Sequence, residues 1–143
     1  MTNSIKLVAV FAENKPGQTS RVTGILAGAH INLRCATLAS IGAFGVIKLL
    51  VSEPELACQA LKHGGVAATL VDALAVEVPD KPGALHAIAD CLGKSGINLE
   101  YLSGFVVNNR AVLIFEVQEV AKAIDALKKQ ALHVLSREEM LAL

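Results

Sequence analysis

Two stretches, AENKPGQTS (Ala12–Ser20) and VPDKPGALH (Val78–His86), decide how this chain is read. Each puts Lys-Pro-Gly after a short apolar run and before a segment with helical spacing. The prolines are 66 residues apart, and the same offset pairs Lys15 with Lys81, Gly17 with Gly83, Ile31-Asn32-Leu33 with Ile97-Asn98-Leu99, Val46 with Val112 and Val51 with Val117. It still holds at Ala60-Leu61-Lys62 and Ala126-Leu127-Lys128. A single register held this long marks a tandem duplication, with one copy expected over residues 1–71 and the other over 72–143.

Each copy has the same order of elements. IKLVAVFA reads as a strand, and Pro16 is expected in the first turn of the helix after it, where a missing N–H costs little. Val22, Ile25, Leu26 and Ala29 give that helix one apolar face, as do Leu85, Ile88, Ala89 and Leu92 in the second copy. INLRCATLAS and FGVIKLLVS form a hairpin turning near Gly42. Their counterparts INLEYLSGFVV and AVLIFEVQ turn at Asn108-Asn109. Pro54 opens a second helix to about His63, and Val120, Ala123, Ile124 and Leu127 mark its equivalent. GVAATLV and ALHVLS close the copies. The order βαββαβ predicts an α+β protein of two tandem ferredoxin-like units, each an antiparallel sheet with both helices on one face. At most a residue or two link the copies. Ser136, three residues before Glu139, has capping-box spacing and predicts a short terminal helix.

Composition narrows the function. The 143 residues are 53% hydrophobic and 18% charged, enough for a substantial core. Net charge is +0 with no basic cluster, so neither nucleic acid nor an anionic membrane is an expected partner. The apolar run from Leu7 to Ala12 is too short for a signal-peptide core and no stretch approaches a membrane span, so a cytoplasmic location is expected. Cys35, Cys58 and Cys91 are widely spaced, which argues against a disulfide framework or a zinc site; Cys58 and Cys91 fall near apolar helix faces and read as core.

The Lys-Pro-Gly loops carry the chemistry. A helix N-terminus offers unpaired N–H groups and the positive end of the dipole, suited to a carboxylate. Gly17 and Gly83 leave that backbone approachable, and Gln18 and Thr19 add donors. The plainer alternative is a tight Pro-Gly turn stabilised by Asx-type bonds from Asn14 and Asp80. Asn32 and Asn98 open the second strands and are expected beside the loops, either as amide contacts to a ligand or as residues satisfying local backbone. His30, which stands where the other copy has Gly96, reads as a left-handed helix cap.

Taken together, ENKPGQTSRVTGILAGAHINL and DKPGALHAIADCLGKSGINLEYL resemble the ACT domain, a small-molecule-binding regulatory module of amino-acid metabolism. The resemblance spans nearly the whole chain and extends to stand-alone tandem ACT proteins through FGVIKLLVS and NLEYLSGFVVNNRAVLIFEV. It implies a non-catalytic regulatory protein that binds a free amino acid at interfaces between ACT units, without cofactor or metal. The implied site residues are Glu13, Asn14, Lys15, Pro16, Gly17, Gln18 and Asn32 in one copy, and Asp80, Lys81, Pro82, Gly83, Ala84, Leu85 and Asn98 in the other. Helix N-termini take the carboxylate, and Asn14, Asp80 or a strand carbonyl takes the ammonium. Asp80 is charged where Asn14 is neutral, so the two sites are expected to differ in affinity. Gly17→Val or Gly83→Val is expected to weaken binding with little unfolding. The hairpin ASIGAFG lacks the acidic residues often found there in similar proteins, which points to altered selectivity or lost binding.

Rival readings fare less well. An RNA-binding sheet needs central aromatic residues, and Phe11, Phe44, Tyr101, Phe105 and Phe115 do not form that pattern. A metal carrier of this fold needs Cys-x-x-Cys where this chain has Lys-Pro-Gly. An enzyme needs a reactive constellation; His30, His63, His86 and His133 are scattered, and His86 with Asp90 reads as an exposed helical pair. The remaining alternative is an assembly subunit with vestigial sites, pairing with itself as a homodimer through a strand such as AVLIFEV or with a regulated partner enzyme.

Overall fold

Two hydrophobic cores organise the chain, one for each copy of the repeat. The computed structural model describes residues 3–143, which form two compact units: Lys6–Val71, and Asp72–Leu143 together with Asn3, Ser4 and Ile5. Among the described residues there are seven strands and five helices.

The first unit contains β1 (Ile5–Glu13), α1 (Gln18–Gly28), β2 (Leu33–Ile41), β3 (Phe44–Val51), α2 (Pro54–His63) and the start of β4 (Ala67–Pro79). Its strand order is β2-β3-β1-β4. In the second unit the rest of β4 is followed by α3 (Ala84–Lys94), β5 (Tyr101–Val107), β6 (Arg110–Glu116), α4 (Val120–Lys129), β7 (His133–Val134) and α5 (Arg137–Leu141). There β4 lies between β6 and β7, and β5 is outermost beyond β6. This is the ferredoxin-like order in both units. Glu13 pairs with Phe44 and Val8 with Leu49, while Pro79 pairs with Arg110 and Leu74 with Phe115, so the registers match at the 66-residue offset.

Alternation along the strands sorts apolar side chains onto one face. Val8, Val10, Ile47 and Leu49 meet Val22 and Leu26 of α1 and Ala57, Cys58 and Leu61 of α2. Leu74, Val76, Val78 and Phe115 meet Ile88 and Leu92 of α3 and Ala123 and Leu127 of α4. Pro54 stands in the first turn of α2, and Ser136 and Glu139 close a reciprocal capping box on α5. His30 adopts φ 59° and Gly96 φ 72°, the left-handed caps expected of them. Asn108 and Asn109 both have positive φ, as a tight hairpin requires.

Several expectations need correction. No linker separates the copies' strands: the closing strand of one and the opening strand of the next are the continuous β4, because an extended, β-branched run through Val71 and Val76 contains no breaker. Pro16 lies in the turn ahead of α1, since Gly17, not Pro16, is the N-cap. Ala29 and Leu85 are exposed; each sits at a helix end, beyond the span that covers the sheet. AVLIFEV forms β6, which pairs with β4 on one side and β5 on the other, so it has no free edge. Asp90 is bonded to Lys94 at 2.9 Å, and His86 acts on the same carboxylate only through the weaker coulombic attraction, so the expected helical pair is secondary to Lys94.

Candidate functional site

The first Lys-Pro-Gly loop leaves β1 at Glu13 and is tied to the tip of the β2–β3 hairpin. Asn14 donates its backbone N–H to Ala43 O at 2.8 Å and its side-chain amide to Gly42 O at 3.0 Å. The Asn14 side chain thus bridges two segments and does not close an Asx turn. Asp80 is held alike, its N–H donating to Asn109 O at 3.3 Å.

Both loops reach their helices through a glycine in the left-handed region, Gly17 at φ 90° and Gly83 at φ 89°. Neither helix has a side-chain N-cap bond or an acidic residue in its first turn. Gln18 N–H reaches Lys15 O and Arg21 N–H reaches Gly17 O, whereas the N–H groups of Thr19 and Ser20 have no carbonyl within the helix to meet. The positive end of α1 therefore stays open to an anion.

Next to this loop lies a cleft of about 700 Å³ within the first unit. Glu13, Lys15 and Gln18 line it from the loop, Arg21 from the following turn of α1, and Phe11, Ile41 and Phe44 from the strands. Pairing of Phe11 with Val46 and of Glu13 with Phe44 puts these side chains on the helix-free face of the sheet. Phe11 is 52% exposed, Phe44 69% and Ile41 90%, so this end of the sheet offers apolar surface to whatever enters. Lys15 and Glu13 pair at 3.3 Å. Arg21 donates to Gly64 O, 2.6 Å away, and its remaining guanidinium donors are available to a carboxylate. Gly65, at φ 78°, leaves room for it, since a Cβ there would stand 3.3 Å from the Arg21 guanidinium. A smaller recess on the helix side brings Asn14, Thr19 and Ser40 together with Lys15 and Gln18.

Of the expected site residues, Glu13, Lys15 and Gln18 line the main cleft, Asn14 lines the neighbouring recess, and Pro16 and Gly17 shape the loop behind them. Asn32 and Asn98 are elsewhere, a correction to their expected place. Helix α1 runs back along the sheet before β2 begins, and Leu33 pairs with Val51 whereas Ile41 pairs with Phe44. Asn32 is therefore a strand length from the loop, roughly 24 Å at the usual rise of about 3.4 Å per residue. Its backbone exchanges bonds with Ser52, the local role of a strand-opening residue. Asn98 instead lines a small recess with Glu100, Gln118 and Glu119. Phe11 and Arg21 were not singled out in the sequence as site residues, and the hairpin that holds Ile41 and Phe44 was marked only for the acidic residues it lacks. A signal for them was available: at the 66-residue offset the second copy has Glu77, Val107, Arg110 and Ala87.

Among the described residues no group of three His, Cys, Asp or Glu side chains is placed to hold a metal ion. Cys58 is buried in the first core, and Cys91 donates to Ala126 O at 3.4 Å.

The family model for an ACT domain pair matches residues 1–143. The chain belongs to the ACT domain pair family. This ACT pair is 31% identical to protein BT0572 from Bacteroides thetaiotaomicron, with a TM-score of 0.92 over 99% of this chain and 100% of that one. It is also similar in fold to the ligand-free regulatory subunit of aspartate kinase from Thermus thermophilus, at 15% identity and a TM-score of 0.63 over 90% of this chain and 97% of that one. The corresponding subunit from Thermus flavus gives 16% identity and a TM-score of 0.59 over 90% and 96%. Among curated proteins none matches the chain. No helix of the described residues is long and apolar enough to cross a membrane.

Proposed function

We propose that this ACT pair is a non-catalytic regulatory protein that binds a free amino acid at its Lys-Pro-Gly loops and passes the signal to a partner enzyme. The observation that carries this reading is the first-unit cleft, where complementary charges and apolar surface lie at the open N-terminus of α1. An α-carboxylate finds Arg21, Gln18 and the N–H groups of Thr19 and Ser20. The α-ammonium finds the Glu13 carboxylate. No side chain in the cleft is set against another as nucleophile and base, so binding is the chemistry the site favours.

Thermal unfolding in the presence of each of the twenty amino acids tests the proposal. A ligand that binds only the folded protein raises the melting temperature by mass action, by the equivalent of about 2.7 kcal/mol at a hundred times its Kd. A saturable rise with at least one amino acid is expected. No rise with any of the twenty would overturn the reading.

That second outcome would favour the assembly subunit, for which β5 gives a specific reason. Leu102 and Val106 are 43% and 60% exposed on a strand that is outermost in its unit. Such an edge pairs readily with a second copy, and light scattering would then report twice the mass of one chain.

A further inference from the structure

We infer that the ligand is an amino acid with a large apolar side chain, and that only the first unit of each chain takes it. This rests on the functional reading above and narrows it. The two loops superpose in sequence, but the side chains around them have been exchanged. Phe11 and Phe44, diagonal neighbours on β1 and β3, line the first cleft. At the same two positions of the second unit stand Glu77 and Arg110, joined in an ion pair at 3.0 Å. Arg21 and Gln18, the first loop's donors, correspond to Ala87 and Ala84, and Glu13 corresponds to Pro79.

The consequences follow from desolvation. An apolar side chain entering the first cleft covers two phenyl rings and the exposed Ile41, releasing water from both partners. The same group at the second loop would strip water from a satisfied Glu77–Arg110 pair and gain no compensating bond. The second loop also has Ala87 where the first has the Arg21 guanidinium, so its Asp80 can meet an ammonium but no guanidinium fixes the carboxylate, which the Asp80 charge repels. A polar amino acid, conversely, would place its side chain against the phenyl rings of the first cleft without a partner. The asymmetry therefore acts on side-chain class in one unit and on binding itself in the other.

Isothermal titration of the full chain with leucine, phenylalanine, glycine, aspartate and lysine tests the inference. Leucine or phenylalanine should bind with one site per chain and exceed glycine by about tenfold or more, the scale on which an apolar pocket separates side chains differing by a few methylenes. The double variant Phe11→Glu with Phe44→Arg copies a pair the fold already carries in its other unit. It should keep its melting temperature within a few degrees and lose at least tenfold in affinity. Ile41→Lys, at a 90% exposed position that leaves folding undisturbed, should lose affinity in the same direction. Two sites per chain, equal or tighter binding of aspartate or lysine, or unchanged affinity in Ile41→Lys would overturn this inference and leave amino-acid binding standing. No binding by any of these five would overturn this inference, and if none of the twenty raised the melting temperature either, both readings would fall.

Discussion

Gly17 and Gly83 have open space where a Cβ would go, yet their φ values of 90° and 89° exclude a side chain for a different reason. A non-glycine residue in the left-handed region brings its Cβ against the backbone, at roughly 1–2 kcal/mol. Gly17→Val and Gly83→Val are thus expected to lower the urea midpoint of unfolding by an equivalent amount, β-branching adding to the strain. This revises the sequence expectation of little unfolding: a glycine variant mixes a stability loss with any binding loss. Arg21→Ala separates them. It removes one exposed bond to Gly64 O and should leave the melting temperature within a few degrees while weakening amino-acid binding at least about fivefold, as for a charged bond. At this scale the loops were legible because Pro and Gly have few interpretations. Phe11 and Phe44 were not, because an isolated Phe in an apolar strand reads as core until the register shows which face it occupies.

At the scale of elements, the equivalence of the copies is strongest in the cores. Leu61 of α2 and Leu127 of α4 occupy corresponding positions and are both 0% exposed. Truncating either to Ala should cost about 2–5 kcal/mol, the range for a fully packed leucine, measurable by denaturant unfolding. The terminal helix α5 carries its own device. Ser136 accepts from Glu139 N–H at 3.1 Å, and Glu139 accepts from Ser136 N–H at 3.1 Å while pairing with His133 at 2.8 Å. The backbone bond from Ser136 and the contact with His133 hold the Glu139 carboxyl below the usual glutamate range. Its folded value being depressed, its contribution is complete above the ordinary glutamate range and is lost as pH falls through the lowered value. Protection factors of the α5 amides, corrected for intrinsic exchange, should therefore fall on acidification before those of the core, and Glu139→Gln should remove that pH dependence. Ser136→Ala should cost about 1 kcal/mol through the lost cap. The capping box was readable from a three-residue spacing. The exposure of Leu85 was not, because helical spacing alone does not say how far the sheet beneath extends.

For the whole molecule, the duplication was the most legible feature, since a constant offset survives divergence that erases individual motifs. The same offset, once the pairing of Glu13 with Phe44 and Pro79 with Arg110 is known, exposes how unlike the two loops have become. Duplication kept the βαββαβ frame, where core packing constrains each residue, and released the helix-free face around the loops. The place of Asn32 could not be read without topology: it follows α1 closely in sequence, yet the helix carries the chain to the opposite end of the sheet. The molecule proposed here is a sensor with one working loop. Amide chemical shifts of the full-length protein, followed by NMR during titration with leucine or phenylalanine, test it most directly. Saturable shifts are expected at Gln18, Thr19, Ser20, Arg21 and Gly65, with Ala84, Leu85, His86 and Ala87 unmoved. Shifts centred on Ala84–Ala87, or none that saturate, would contradict it.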